Sequence, residues 1–246
     1  MDTIKRTLEI INPIIEKDLE EKNNFPAGFT FFHILERVKL NLQSIYLLAK
    51  DSMVKHDHAI GLISRNLMTD FIVSGYIIKL FGSEEIYYNK LYSLYNSDIK
   101  KTKSIINMFF EKGFIDEDEK NKIEENFNNY SIYKVIHDFA ANHNLKEFPN
   151  TKSIIEKFLD IDQNDEWIDQ IKRSYDLWVY LSKYEHLGWY SYYLTRNTQS
   201  VKIKERLNSV LFKTLILTSS CLEILGEKRA LKKIIELMED CKEYDK

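Results

Sequence analysis

The sequence predicts an all-α protein, a multi-helix bundle of long antiparallel helices with a polar helical excursion in the middle. Three observations predict it. Only 7 glycines and 3 prolines occur in 246 residues, well under the usual share of roughly 12%. An all-β sandwich or barrel needs turn residues about every ten positions and would exhaust that supply. Apolar residues recur at three- and four-residue steps along nearly the whole chain, which is the helical period. No G-x-G-x-x-G and no G-x-x-x-x-G-K-[ST] occurs, so a doubly wound nucleotide-binding sheet is excluded.

Taken in order, a first helix is expected over 2–22, bent by Pro13. The stretch Asn23-Asn24-Phe25-Pro26-Ala27-Gly28 breaks it. A second helix follows over 30–53, and His56-Asp57-His58 separates it from a third over 58–81, stopped by Gly82. Ser83 with Glu84 and Glu85 reads as an N-cap and an acidic first turn, opening a fourth helix that reaches Lys112. Two short polar helices follow, over 116–129 and 131–142. The segment 142–151, with Pro149, is a linker or an excursion. A short helix is expected over 151–159. Asn164 or Asp165 caps a long helix that ends before Gly188. Trp189 to Arg196 is a short aromatic segment. Helices over 200–225 and 227–243 close the chain. The whole reads as one helical domain, 1–246, with an insertion or subdomain at about 114–163.

Bulk properties bound the function. Net charge is −3, so no global field draws the protein to nucleic acid or a membrane. Cys221 and Cys241 are far apart, have no metal spacing and suit a reducing compartment. The N-terminus has charged residues where a signal peptide has an apolar core. The run 71–81 contains Lys79 and is too short to span a bilayer. These features place the protein in the cytoplasm and away from membranes. Nothing in the sequence calls for a metal or a cofactor. His56 and His58 read as a solvated turn. His137 and His143 do not share a helical face. Asp160 to Asn164 starts like a calcium loop, yet it lacks the glycine and the closing glutamate that such a loop needs.

Two segments carry chemistry. From Ala59 to Ile78 only Arg65 and Asp70 are charged, so Arg65 is expected to be partly buried and in need of acceptors. It is either a structural arginine paired with a carboxylate or a ligand for an anion or phosphate. Downstream, Ile168, Ile171, Tyr175, Trp178, Ser182 and His186 follow at steps of three and four along one helix face. That stripe begins apolar and ends in a hydroxyl and an imidazole, while Lys183 and Glu185 point elsewhere. His186 is a satisfied core residue or a general acid or base. The eight Tyr or Trp residues from Tyr175 to Tyr193, followed by Arg196, Lys202, Lys204 and Arg206, read as core, as a self-association surface or as a nucleic-acid surface.

The segments Ser64-Arg65-Asn66-Leu67-Met68-Thr69-Asp70 and Tyr180-Leu181-Ser182-Lys183-Tyr184-Glu185-His186 resemble a family of uncharacterised bacterial helical proteins. That family carries an Arg-Ser-Leu-x-Glu helix and a later Leu-Ser-x-Tyr-x-His helix. It is similar to the HEPN (higher eukaryotes and prokaryotes nucleotide-binding) bundles. Arg65, Ser182, Tyr184 and His186 match its motifs; Thr69 stands where the family has its acid, with Asp70 one place later. No arginine is followed by histidine at the Arg-x4–6-His spacing of many HEPN ribonucleases. The resemblance implies an HEPN-like bundle acting in antiviral defence or as a toxin–antitoxin component. Its activity would be metal-independent, on RNA or a nucleotide. Arg65 would hold phosphate, His186 would move the proton, and Ser182 and Tyr184 would orient. Thr69, Asp70 and Arg196 would bind. The other reading is a non-catalytic interaction or regulatory module, a homo-oligomer or the partner of another protein, with the same cluster as a structural network.

Overall fold

Among the described residues of the computed structural model, 1–17, 25–79, 83–161, 165–185, 193 and 200–242, all regular structure is helical. The helices are α1 (Asp2–Ile15), α2 (Ala27–Ser52), α3 (Asp57–Lys79), α4 (Glu84–Glu111), α5 (Glu117–Asn129) and α6 (Ser131–Asn142). They continue with α7 (Thr151–Leu159), α8 (Glu166–Ser182), α9 (Ser200–Ile224) and α10 (Lys228–Asp240). Two compact units divide the chain: Met1–Leu80 with Thr151–Lys246, and Phe81–Asn150.

The expected punctuation is present where it can be seen. Ser83 caps α4 by accepting from the Ile86 amide. Asp116 and Glu119 form a reciprocal capping box on α5, which satisfies two orphan amides. Asp165 accepts from the amides of Trp167 and Ile168 to start α8. Gly113 and Gly226 take positive φ, 71° each, where a side chain would be strained. They follow α4 and α9. Two expected boundaries move. Helix α1 ends at Ile15, two residues past Pro13, and Glu16 and Lys17 are already turn and bend. Helix α8 ends at Ser182. The amides of Lys183, Tyr184 and Glu185 bond three residues back, to Tyr180, Leu181 and Ser182, so the chain tightens into a 3₁₀-like turn.

In the first unit α3 lies against α2, α7, α8 and α9, and α9 lies against α1, α2, α3 and α10. The core is built from Phe31, Phe32 and Leu35 on α2, Leu67, Phe71 and Ile72 on α3, Phe158 on α7 and Leu215 and Leu217 on α9. Helix α9 is buried on every side from Val210 to Thr218. Val201–Ile224 is long and apolar enough to cross a membrane by length and composition, and 72% of its most apolar window is buried inside the protein. Its buried hydroxyls stay satisfied within the helix: Thr214 donates to Val210 O and Thr218 to Thr214 O, a bond that Ser and Thr make readily on helices. Cys221 and Cys241 are free and buried.

The second unit pairs α4 with α5 and α6. Tyr92 stacks on Phe139 at 3.7 Å between centroids, and His143 stacks on the same ring at 3.9 Å. The Phe148 amide donates to Ser97 Oγ and ties the returning strand of chain to α4. The sequence puts an excursion at about 114–163. The unit instead includes α4, with Leu91, Tyr92 and Ile106 buried, and it excludes α7, which packs on α3 and α8.

Candidate functional site

Arg65 stands on α3 beside the end of α8. Its Nε donates to Ser182 Oγ at 3.4 Å, its Nη1 is paired with Glu185, and its guanidinium lies 5.5 Å from the centre of the Trp178 ring. The side chain is 21% exposed. The Trp178 indole in turn donates to Thr69 Oγ1 at 3.3 Å. The expected carboxylate for Arg65 is therefore supplied by Glu185, which the helical stripe pointed elsewhere. The tight turn after α8 re-aims it: a helix continuing through 186 would carry Glu185 about 100° round from its neighbour, whereas the three-residue steps do not.

The buried face of α8 also differs from the expected stripe. Ile168 and Ile171 are buried as expected, but Ser174, Leu181 and Tyr184 continue the buried face, and Tyr175, Trp178 and Ser182 lie at its edge. Ser174 hides its hydroxyl by donating to Gln170 O. Ser182 Oγ donates to Trp178 O at 2.8 Å and accepts from Arg65. With its proton on a backbone carbonyl and its lone pair on a cation, Ser182 is a tether rather than an activated nucleophile.

Below Arg65 lies a second cluster. Asp57, at the start of α3, is buried, against the expectation of a solvated turn. Tyr184 Oη donates to Asp57 Oδ2 at 2.8 Å. Arg206 on α9 donates from Nη2 to Asp57 Oδ1 at 3.1 Å, and from Nη1 to Tyr180 Oη at 2.7 Å and Tyr184 Oη at 2.6 Å. Its Nε donates to Lys202 O. The guanidinium is also 4.8 Å from the Tyr180 ring centre. Burial pushes the Tyr184 phenol far above its ordinary range; the Asp57 carboxylate adds to this, and Arg206 opposes it. Tyr184 therefore stays protonated and donates. Burial works against the Arg206 charge, but Tyr184, Asp57 and Tyr180 outweigh it. The free space among Asp57, Gly61, Ser64, Leu181, Arg206 and their neighbours is about 10 Å³, room for about one water.

Asp70 is apart from both. It sits on α3 and accepts two bonds from Arg37 of α2, at 3.0 and 3.1 Å. Burial pushes its carboxyl above the ordinary 3.8, and Arg37 only partly offsets that. A raised acid favours the proton-bound folded form. Asp70's contribution to stability is thus fully present below about 3.9 and is lost as pH rises through its folded value. Asp70→Asn is accordingly expected to leave the melting temperature at pH 7 unchanged or raised, and to flatten its dependence on pH above 4. A loss of several degrees at pH 7 would show that the Arg37 bond outweighs the burial.

The structure thus brings together Arg65, Ser182 and Thr69, the last through Trp178, and places Tyr184 in the buried cluster beneath. It gives Asp70 to a different partner. His186 and Arg196 lie outside the described residues. Sequence reasoning missed Asp57 and Glu185 as partners, and it left Arg206 open between core, self-association surface and nucleic-acid surface. The signal for Arg206 was available: Ile203, Leu207 and Val210 flank it at core spacing. Fold and site together define a helical-bundle protein whose central charges are met from within. No protein-family model, curated protein or solved structure matches the chain.

Proposed function

We propose that this chain is a non-catalytic helical interaction or regulatory module, in which Arg65, Ser182 and Tyr184 hold α3, α8 and α9 together. One observation carries this reading: Arg65, Ser182, Tyr184, Asp57 and Arg206 each already hold an internal partner. A catalytic site keeps donors aimed at space that a reacting atom will fill. The rival is a metal-independent ribonuclease of HEPN-like type, with Arg65 on phosphate and His186 as the proton carrier. It has one observation in its favour, the exposed edge of Arg65 beside the Ser182 hydroxyl.

Arg65→Ala separates the two. The module reading expects a loss of about 1 kcal/mol, kept small because the pair with Glu185 is partly screened, or roughly 2–4 °C in melting temperature. RNA incubated with the wild-type protein in chelator stays intact. RNA cleavage by the wild type that is lost in Arg65→Ala at unchanged melting temperature would overturn the module reading.

A further inference from the structure

The second unit leaves one apolar stripe open. On α4, Ile105 is 50% exposed, Met108 45% and Phe109 41%, and Phe114 just beyond the helix is 74% exposed and stands edge-on to Phe109. With Asp98, Lys101 and Lys112, these side chains follow steps of three and four along one face. Ile106, about 100° round the helix from Ile105, is buried, while the stripe itself stays exposed. Four large exposed apolar groups on one short stretch mark a contact surface rather than scattered surface residues.

The charges select the occupant. The stripe is apolar in its middle and carries Asp98 at one end and Lys112 at the other, both exposed. Among the described residues neither Asp98 nor Lys112 has an ion-pair partner. Beside the stripe stand Lys100 and Lys103 in the N-terminal half and Glu111 in the C-terminal half. A surface whose two halves are complementary to one another is matched by its own copy turned through two-fold symmetry.

We propose that α4 pairs antiparallel with α4 of a second copy, about a two-fold axis at Ile105. That register sets each Asp98 opposite the partner subunit's Lys112, brings Ile105 against the partner subunit's Ile105, and lays the Lys101 stem along the partner subunit's Phe109. Moving the axis to between Ile105 and Met108 would put Lys101 against Lys112, a like-charge contact. One helix pair buries less than the roughly 800 Å² per partner of a standard interface, so the dimer dissociates on dilution. The pairing names the partner for the interaction reading above and involves none of the Arg65 or Arg206 cluster.

The test is sedimentation and light scattering of the full chain across a dilution series, with circular dichroism as the folding control. The wild type is expected to pass from dimer to monomer as it is diluted. Ile105→Glu weakens the dimer about tenfold or more, and Asp98→Lys does so by setting two cations against each other. Asp98→Lys combined with Lys112→Asp restores it. Because Asp98 and Lys112 are exposed, this charge exchange reads the pairing even if Ile105→Glu disturbs the fold. A wild type that is monomeric at every concentration overturns the proposal. So does a dimer indifferent to both Ile105→Glu and Asp98→Lys. Either result leaves the Arg65→Ala outcome standing, and RNA cleavage would sink the module reading without touching the dimer.

Discussion

Arg206→Ala is expected to lower stability by about 3–5 kcal/mol, or roughly 10 °C or more in melting temperature. The reason is what it leaves behind. Asp57 is buried and gives one carboxylate oxygen to Arg206 and the other to Tyr184. Without the guanidinium, the buried carboxyl group loses its cationic partner in a site with room for about one water, and Tyr180 and Tyr184 each lose a donor. Asp57→Ala is expected to cost a similar amount for the mirror reason. The two together should cost less than their sum, since they remove one interaction. Replacing the charges by volume tests the account further. Asp57→Leu, Arg206→Met and Tyr184→Phe in one chain should recover most of the loss, because a buried pair stabilises little relative to apolar groups of the same shape. Thermal melts of the four variants check this, and Arg206→Ala within a degree or two of wild type would refute it.

Gly61→Ala is expected to destabilise by about 1–3 kcal/mol through overpacking, although alanine is the better helix former by about 1 kcal/mol. A Cβ at Gly61 would lie 2.8–2.9 Å from three atoms of the Tyr184 ring. Real side chains do not approach so closely. The ring cannot step aside cheaply, because its hydroxyl is held by Asp57 and Arg206 and its edge meets His58 at 5.6 Å between centroids. Helices α3 and α8 are close here because residue 61 has no side chain. In a Tyr184→Ala background the same substitution should become neutral or stabilising. A rise in melting temperature for Gly61→Ala in the wild-type background would contradict the account.

Much of the helical frame was legible because its signals are local. Ser83 and Asp165 act within a turn of themselves: Ser83 caps its helix as read, and Asp165 is the one of the two candidate caps that the structure uses. Arg65 was legible as a partly buried cation for the same kind of reason: twenty residues with two charges cannot be a surface helix. Its partner was not. Glu185 reaches Arg65 because the chain tightens after Ser182, and nothing in the spacing of Trp178, Ser182 and His186 distinguishes a helix that continues from one that closes into three-residue steps. Asp57 was illegible from its neighbours, since His56 and His58 make it look like a polar turn. What buries it is Arg206, and only the packing of α9 on α3 brings them together. Asp70 shows the same limit. Its place on the helix excluded Arg65 as a direct partner, but Arg37 on α2 is a tertiary choice.

The first unit is assembled from chain on both sides of the second. Asp57 and Arg206 are 149 residues apart in sequence. At a synthesis rate of about 5–20 residues per second, α3 waits roughly 7–30 s for the cation that its buried carboxylate requires. In that interval the whole of Phe81–Asn150 is made. The ribosome therefore delivers the second unit complete while the first still lacks α9, and α3, the most apolar segment of the early chain, must stay out of trouble until α9 arrives. On ribosomes stalled before and after residue 206, α3 is expected to differ in how readily a protease cuts it.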